Sequence, residues 1–259
     1  MPSLTANLRK EYEDLFNTCN IAAGKSNAVE NIINKITANK NRYETVGTQL
    51  GIPWYFIAVI HSMESGLSFT QHLHNGDPLT ARTVHVPKGR PVNGSPPFTW
   101  EESAEDSLRF QKLDKWKDWS VPGLLYKLEG YNGWGYRVKH PHVLSPYLWS
   151  FSNHYTKGKY IADGTFSETA VSRQCGAAVL LRRMAEQGII NLTVTPAKQT
   201  PKGPYLKYSN KKIEHGTELQ SFLNKFPGIF VKEDGAPGDK TSEAVKKVFG
   251  FYLYGDPKG

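Results

Sequence analysis

The sequence predicts a mainly α protein: an α+β domain with a small β-hairpin region, followed by a small helical C-terminal module. Three observations predict it. Apolar residues recur at three- and four-residue spacing through most of the first 190 positions. One interval, 68–98, loses that period and becomes β-compatible and turn-rich. Near the end, three prolines interleaved with lysines in 193–215 break all periodicity before it resumes. The domains read as 1–195, a linker over 196–214, and 215–259.

Residues 4–50 carry helical spacing in LRKEYEDLF and in NAVENIINKITANKNRYETVGTQLG. Gly51 breaks that pattern, and Pro53 suits a first helical turn. The next helix spans WYFIAVIHSMES and stops at Gly66, a good C-cap residue. Ile57, Ile60, His61 and Glu64 fall on one side of it. Within 68–98, TVHVP alternates and Lys88-Gly89 and Asn93-Gly94 offer turns, so a small hairpin is expected there. Thr99 with Glu102 forms a capping box that opens a helix over 100–113. A helix from 121 ends in the Gly-rich GYNGWGYR, and 145–155 reads as a short helix or loop. An amphipathic helix is expected over 167–189.

Composition excludes several classes. At 259 residues with 39% hydrophobic and 22% charged residues, the chain suits a globular protein with one good core. No run of 18 apolar residues exists, so no membrane partner is expected. The N-terminus lacks an apolar signal segment, so the chain is expected to be cytoplasmic at synthesis. Cys19 and Cys175 make no disulfide framework and are expected to be free thiols. The net charge of +8 implies an anionic partner. Basic and acidic residues are mixed and no nucleic-acid-binding signature occurs, so a polyanionic surface is expected rather than nucleic acid. A monomer is expected.

The chemistry concentrates in HSMESGLSFTQHLHNGDPLTART, residues 61–83. Glu64 lies at the end of an apolar helix, near the negative end of its dipole. Desolvation and the dipole both raise a carboxyl pKa, as a general acid requires. The plainer alternative is a surface Glu that closes the helix. Asp77, beyond a Gly-containing turn, could hold a water opposite that acid, with Thr83 orienting it, the inverting logic of glycosidic cleavage. Asp77 suits equally well an Asx turn in NGDP, and Thr83 a plain strand position. Glu101, Glu102 and Asp106 are the reserve acids.

His61, His72, His74 and His85 are half of the eight histidines. His72 and His74 could ligate metal, but HExxH is absent, so no metal or other cofactor is expected and a cleft-lining role is favoured. Tyr131, Asn132, Trp134 and Tyr136, with two glycines between, offer stacking and amide hydrogen bonds to a sugar, or else a tight aromatic turn on the core. Tyr147 and Asn153 repeat that mixture.

GTQLGIPWYFIAVIHSMESG resembles the catalytic-helix segment of the lysozyme-like superfamily, which includes goose-type lysozymes, lytic transglycosylases and phage endolysins. GYNGWGYR is similar to the YN-G loop of those families. The resemblance implies a lysozyme-like fold with Glu64 as general acid and Tyr131 and Asn132 on the saccharide cleft. The order Glu64, Asp77, Thr83 resembles that of phage-type lysozymes, although the Glu-to-Asp interval is longer here. ELQSFLN and DGAPGDKTSEAV, within 215–255, resemble the small helical peptidoglycan-binding repeat. Together they imply an N-acetylmuramidase acting on peptidoglycan or a related amino-sugar polymer at an anionic cell wall. Such an enzyme would be released as an endolysin is, or by a non-classical route. A lytic transglycosylase and a chitinase are the rivals within the class. A zinc amidase or peptidase built on His61, His72 and His74, and a non-catalytic glycan binder, are the rivals outside it.

Overall fold

The computed structural model describes residues 2–192 and 206–259. The chain divides into two compact units, Met1–Ala197 and Lys198–Gly259. Both are mainly helical, and no described helix is long and apolar enough to cross a membrane.

The first unit opens with α1 (Ala6–Asn17), capped by the Thr5 hydroxyl, which accepts from the Leu8 N–H. Its buried residues Leu8, Tyr12 and Phe16 recur every four positions and form one face. α2 (Ser26–Ala38) buries Val29, Ile33 and Ile36 in the same manner. α3 (Lys40–Leu50) ends at Gly51, whose φ of 67° is one that glycine adopts without penalty. α4 (Trp54–Ser65) differs from all of these, because every residue from Phe56 to Met63 is buried. It is the central helix, packed by α3 on one side and by α9 (Ala177–Glu186) on another. Full burial of Phe56, Ile57, Val59 and Ile60 is worth about 1.5–3 kcal/mol each, which holds the helix that carries Glu64 firmly in place.

α5 (Trp100–Phe110) begins with both halves of the Thr99–Glu102 capping box. A 3₁₀ turn, Leu113–Lys115, leads toward α6 (Val121–Asn132), which packs on α1. Two short helices follow, α7 (Gly135–Lys139) and α8 (Pro146–Trp149).

Two expectations are corrected here. No ladder forms between 68 and 98, where the only strand-like feature is an isolated bridge between Gln71 and Pro78. Prolines there remove ladder donors, and side chains take up the backbone N–H groups instead: Asp77 accepts from Val84 and His85, and Thr83 from Arg90. The hairpin lies later, as β1 (Lys159–Ala162) and β2 (Thr165–Ser167), antiparallel with Tyr160 opposite Phe166. Its turn is Asp163-Gly164, a strong hairpin dipeptide, with Gly164 at φ 71°.

The second correction concerns the helix expected over 167–189. Only Ala177–Glu186 is helical. Gly176 is extended, and its N–H donates to the Ser150 carbonyl. A β-carbon there would lie 2.3 Å from the Leu148 carbonyl oxygen, so this close approach to the α8 segment holds the chain out of helix.

In the second unit, α10 (Gly216–Leu223) and α11 (Asp239–Phe249) enclose Leu223, Val231, Ala244, Val245 and Leu253. Gln220, 1% exposed, ties the unit together. Its amide donates to Asp234, and its carbonyl accepts from the Gly235 N–H. That explains why LQ and DG occur together in this sequence. Of the expected linker 196–214, positions 196–205 lie outside the described residues. Positions 206–214 belong to the second unit: the Tyr208 N–H donates to Tyr254 and the Ile213 N–H to Gly235.

Candidate functional site

Glu64 is carried on the last turn of α4, one residue before the helix ends at Ser65 with Gly66 (φ 59°) as its cap. The turn is fastened from outside by Gln174, whose amide donates to the Met63 carbonyl at 2.6 Å. Nothing in the periodicity marks Gln174 for this role, because it lies in the non-helical lead to α9.

The Glu64 carboxyl is set among aromatic hydroxyls. Tyr147 donates to Oε1 at 2.9 Å. No donor among the described residues reaches Oε2. Burial drives the Glu64 pKa from its ordinary 4.5 to about 7, and the Tyr147 hydrogen bond pulls in the opposite direction without overcoming it. Burial, and then the nearby Glu64 charge, push the Tyr147 phenol well above its ordinary range. The same two causes raise the Tyr131 phenol. Both hydroxyls therefore stay protonated at neutral pH. The Tyr131 hydroxyl lies 3.1 Å from Ser107 Oγ of α5. Glu64, Tyr131 and Tyr147, which the sequence singled out separately, thus form one cluster drawn from α4, α6 and the α8 segment. Ser107 is an addition that the sequence did not mark.

The Asn75-Gly76-Asp77 turn lies against this end of α4: a β-carbon on Gly76 would be 3.5 Å from the Glu64 carbonyl oxygen. Asp77 organises the following loop. Its Oδ2 accepts from the Asn75 amide and from the Val84 and His85 N–H groups, and its Oδ1 pairs with His85 Nδ1 at 2.6 Å. Burial alone would raise the Asp77 carboxyl, but these donors outweigh it and hold the carboxyl at about 2. The Thr83 hydroxyl donates to the Pro87 carbonyl at 2.5 Å and accepts from the Arg90 N–H at 2.9 Å. Both residues hold the loop in shape, and the Thr83 hydroxyl has its single proton committed.

The three histidines considered for zinc are fully engaged with protein. His61 lies between Tyr43 and the Ser68 carbonyl, and His72 between Ser103 and the Ala81 carbonyl. His74 reaches Asp106 through Nε2 at 2.8 Å, and its Nδ1 faces Ser103. All three rings are buried and hydrogen-bonded within the protein, which leaves them no shared open position for a metal ion. Burial lowers the His61 and His74 pKa values to about 4, so both rings are neutral at pH 7. His72 and His74 therefore brace the loop from beneath rather than line a cleft.

The reserve acids are also engaged: Glu101 in a bidentate pair with Arg42, Glu102 in the capping box, and Asp106 with His74 and Arg90.

The remaining predicted binders separate. Asn132 and Tyr136 line a cavity of about 410 Å³ beside Lys139, Tyr160 and Asp163, where the Tyr136 hydroxyl accepts from the Tyr160 N–H. Trp134 packs on Tyr126, with ring centroids 5.0 Å apart. Asn153 is tied to Thr18 and Asn20 and fastens the end of α1. Cys19 and Cys175 are free and buried, and burial pushes both thiols up to about 12.

Compared with known protein families, curated proteins and solved structures, the chain matches none of them.

Proposed function

We propose that the chain is a glycoside hydrolase of the lysozyme-like kind, an N-acetylmuramidase that cleaves β-1,4 bonds between the amino sugars of peptidoglycan. One observation carries the reading: a carboxyl that titrates at about 7, with Tyr147 on one oxygen and the other oxygen without a protein donor. Half-protonated at neutral pH, Glu64 can deliver a proton from Oε2 to a glycosidic oxygen, while the Tyr147 hydroxyl, donating to Oε1, stabilises the negative charge that grows on the carboxylate. Charge favours the same class of substrate, since a chain of net charge +8 is drawn to an anionic wall. The second unit supplies the wall-binding module in this reading, on the strength of its LQ and DG pattern.

For hydrolysis, water would have to be positioned by Asp77 Oδ1, which has one partner, His85, whereas Oδ2 already takes three donors. A second reading, lytic transglycosylation, draws support from that same saturation and from the committed Thr83 hydroxyl. There the sugar's own 6-hydroxyl attacks, and Glu64 alone serves as acid and then base.

The test is product analysis on purified peptidoglycan. The reading requires new reducing ends that Glu64→Gln abolishes. Anhydro ends that survive in Asp77→Asn would select transglycosylation. Cleavage confined to stem peptides, or full activity in Glu64→Gln, would refute both readings.

A further inference from the structure

His140, His142 and Glu168 form a group that the proposed glycosidase chemistry does not use. One coordinating atom from each lies within 4.8 Å of the other two. His142 Nε2 and Glu168 Oε2 are 3.2 Å apart. Around a tetrahedral zinc with bonds of about 2.0–2.1 Å, neighbouring ligand atoms are about 3.3 Å apart. That pair is therefore already spaced as one edge of a zinc tetrahedron.

The backbone presets the other ligand. His140 caps α7, donating its N–H to the Tyr136 carbonyl, and Pro141 keeps it out of helical geometry, at φ −134° and ψ 56°. Its ring stacks on Phe166 of β2, with centroids 3.6 Å apart and planes at 11°. This stacking fixes the ring plane next to the strand that leads directly into Glu168. No hydrogen bond among the described residues occupies either ring nitrogen of His140. The contrast with His61, His72 and His74, each held at both nitrogens, is complete.

We propose that His140, His142 and Glu168 bind a single Zn²⁺, with water as the fourth ligand. Two imidazoles and one carboxylate suit zinc, whereas calcium and magnesium favour oxygen ligands alone. The three atoms already lie within 4.8 Å of one another, and His142 and Glu168, with side chains 58% and 64% exposed, have room to adjust toward His140. The bound ion fastens the 140–142 segment to the end of the hairpin. This site is independent of the Glu64 reading and stands if that reading fails.

The test uses the full chain without a histidine tag, stripped of metal by chelation and titrated with Zn²⁺ against a chromophoric zinc indicator. The expected result is one Zn²⁺ per chain, a thermal transition raised by zinc, and a four-coordinate visible spectrum when Co²⁺ replaces it. His142→Ala and Glu168→Ala should each weaken binding by at least ~10-fold. Both should melt as wild type does in chelator, since the side chains are exposed. His215→Ala, which removes another histidine flanked by carboxylates, should bind as wild type does. Absence of stoichiometric zinc, wild-type binding by His142→Ala, or loss of binding in His215→Ala would overturn the proposal.

Discussion

Replacing Glu64 with Gln should do two opposite things, and the second is the sharper test of the site. Activity should disappear, because the amide cannot donate a proton to a leaving oxygen. Stability should rise, by an amount that grows from almost nothing at pH 4 to its full value just above pH 7. In the folded chain, burial lifts the Glu64 pKa from 4.5 to about 7. A carboxyl whose folded pKa is raised leaves the native state at full strength below about pH 4.5 and weakens it as pH climbs toward 7, because the unfolded chain ionises first. At pH 8 the accumulated penalty is about 3 kcal/mol, and at pH 4 it is under ~0.3 kcal/mol. Gln has the shape of the protonated acid and keeps an acceptor for Tyr147, so it should escape the penalty. In a unit of this size that corresponds to a melting-temperature advantage of roughly 6–12 °C at pH 8 over the advantage at pH 4. Thermal unfolding of both proteins from pH 4 to 8.5, followed on the transition of the first unit, measures it. A wild-type-to-variant gap that does not change with pH would mean that Glu64 titrates as an ordinary surface carboxylate, and the general-acid reading would fall with it.

The rate of glycan cleavage should fall as pH rises through about 7, as Glu64 loses its proton. Tyr147→Phe removes a donor that favours the ionised form, so its alkaline limb should move up by about one pH unit; a limb that stays put or moves down counts against the pairing. Asp77→Asn removes a carboxylate held at about 2, whose contribution is present above its ordinary 3.8 and lost as pH falls toward 2. The variant should be less stable by about 1–3 kcal/mol at pH 7, with the difference shrinking in strong acid, as denaturant titrations at both pH values would show. Gly176→Ala places a methyl 2.3 Å from the Leu148 carbonyl, so it should lower stability by about 1–3 kcal/mol and reduce activity by displacing the neighbouring Tyr147. A fully active, fully stable variant would show that the α8 segment can move without disturbing Glu64.

Glu64 was legible because its signal is local: an apolar run, a carboxylate on its last turn and Gly66 immediately beyond. Its partners were not. Tyr147 lies 83 residues away, and Ser107 and Tyr131 come from two further helices, so only the tertiary fold joins them. The histidine cluster misleads for a related reason. Density along the chain says nothing of whether a ring's nitrogens are free, and His61, His72 and His74 have theirs taken by Tyr43, Ser103, Asp106 and carbonyl groups. The hairpin was readable in principle, since Asp163-Gly164 between apolar runs is a stronger turn signal than the alternation of TVHVP. That alternation is defeated by Asp77 and Thr83, which hydrogen-bond the backbone groups a ladder would need.

The same competition bears on why the acid is placed on α4 rather than on the loop beside it. A carboxyl becomes a weak acid at neutral pH only where donors are scarce and solvent is excluded. The 75–90 loop is rich in free N–H groups, and the carboxylate it holds, Asp77, is driven down to about 2. α4 satisfies its own N–H groups internally and is buried from Phe56 to Met63, so the carboxylate at its end finds one phenol and little water, and rises to about 7. Two carboxylates on adjoining segments are thereby held about five pH units apart, Glu64 raised by burial and Asp77 lowered by the His85 side chain and the His85 and Val84 N–H groups. Moving a single N–H donor onto Glu64 should lower it by about one pH unit, so several would be needed to bring it down to where Asp77 lies.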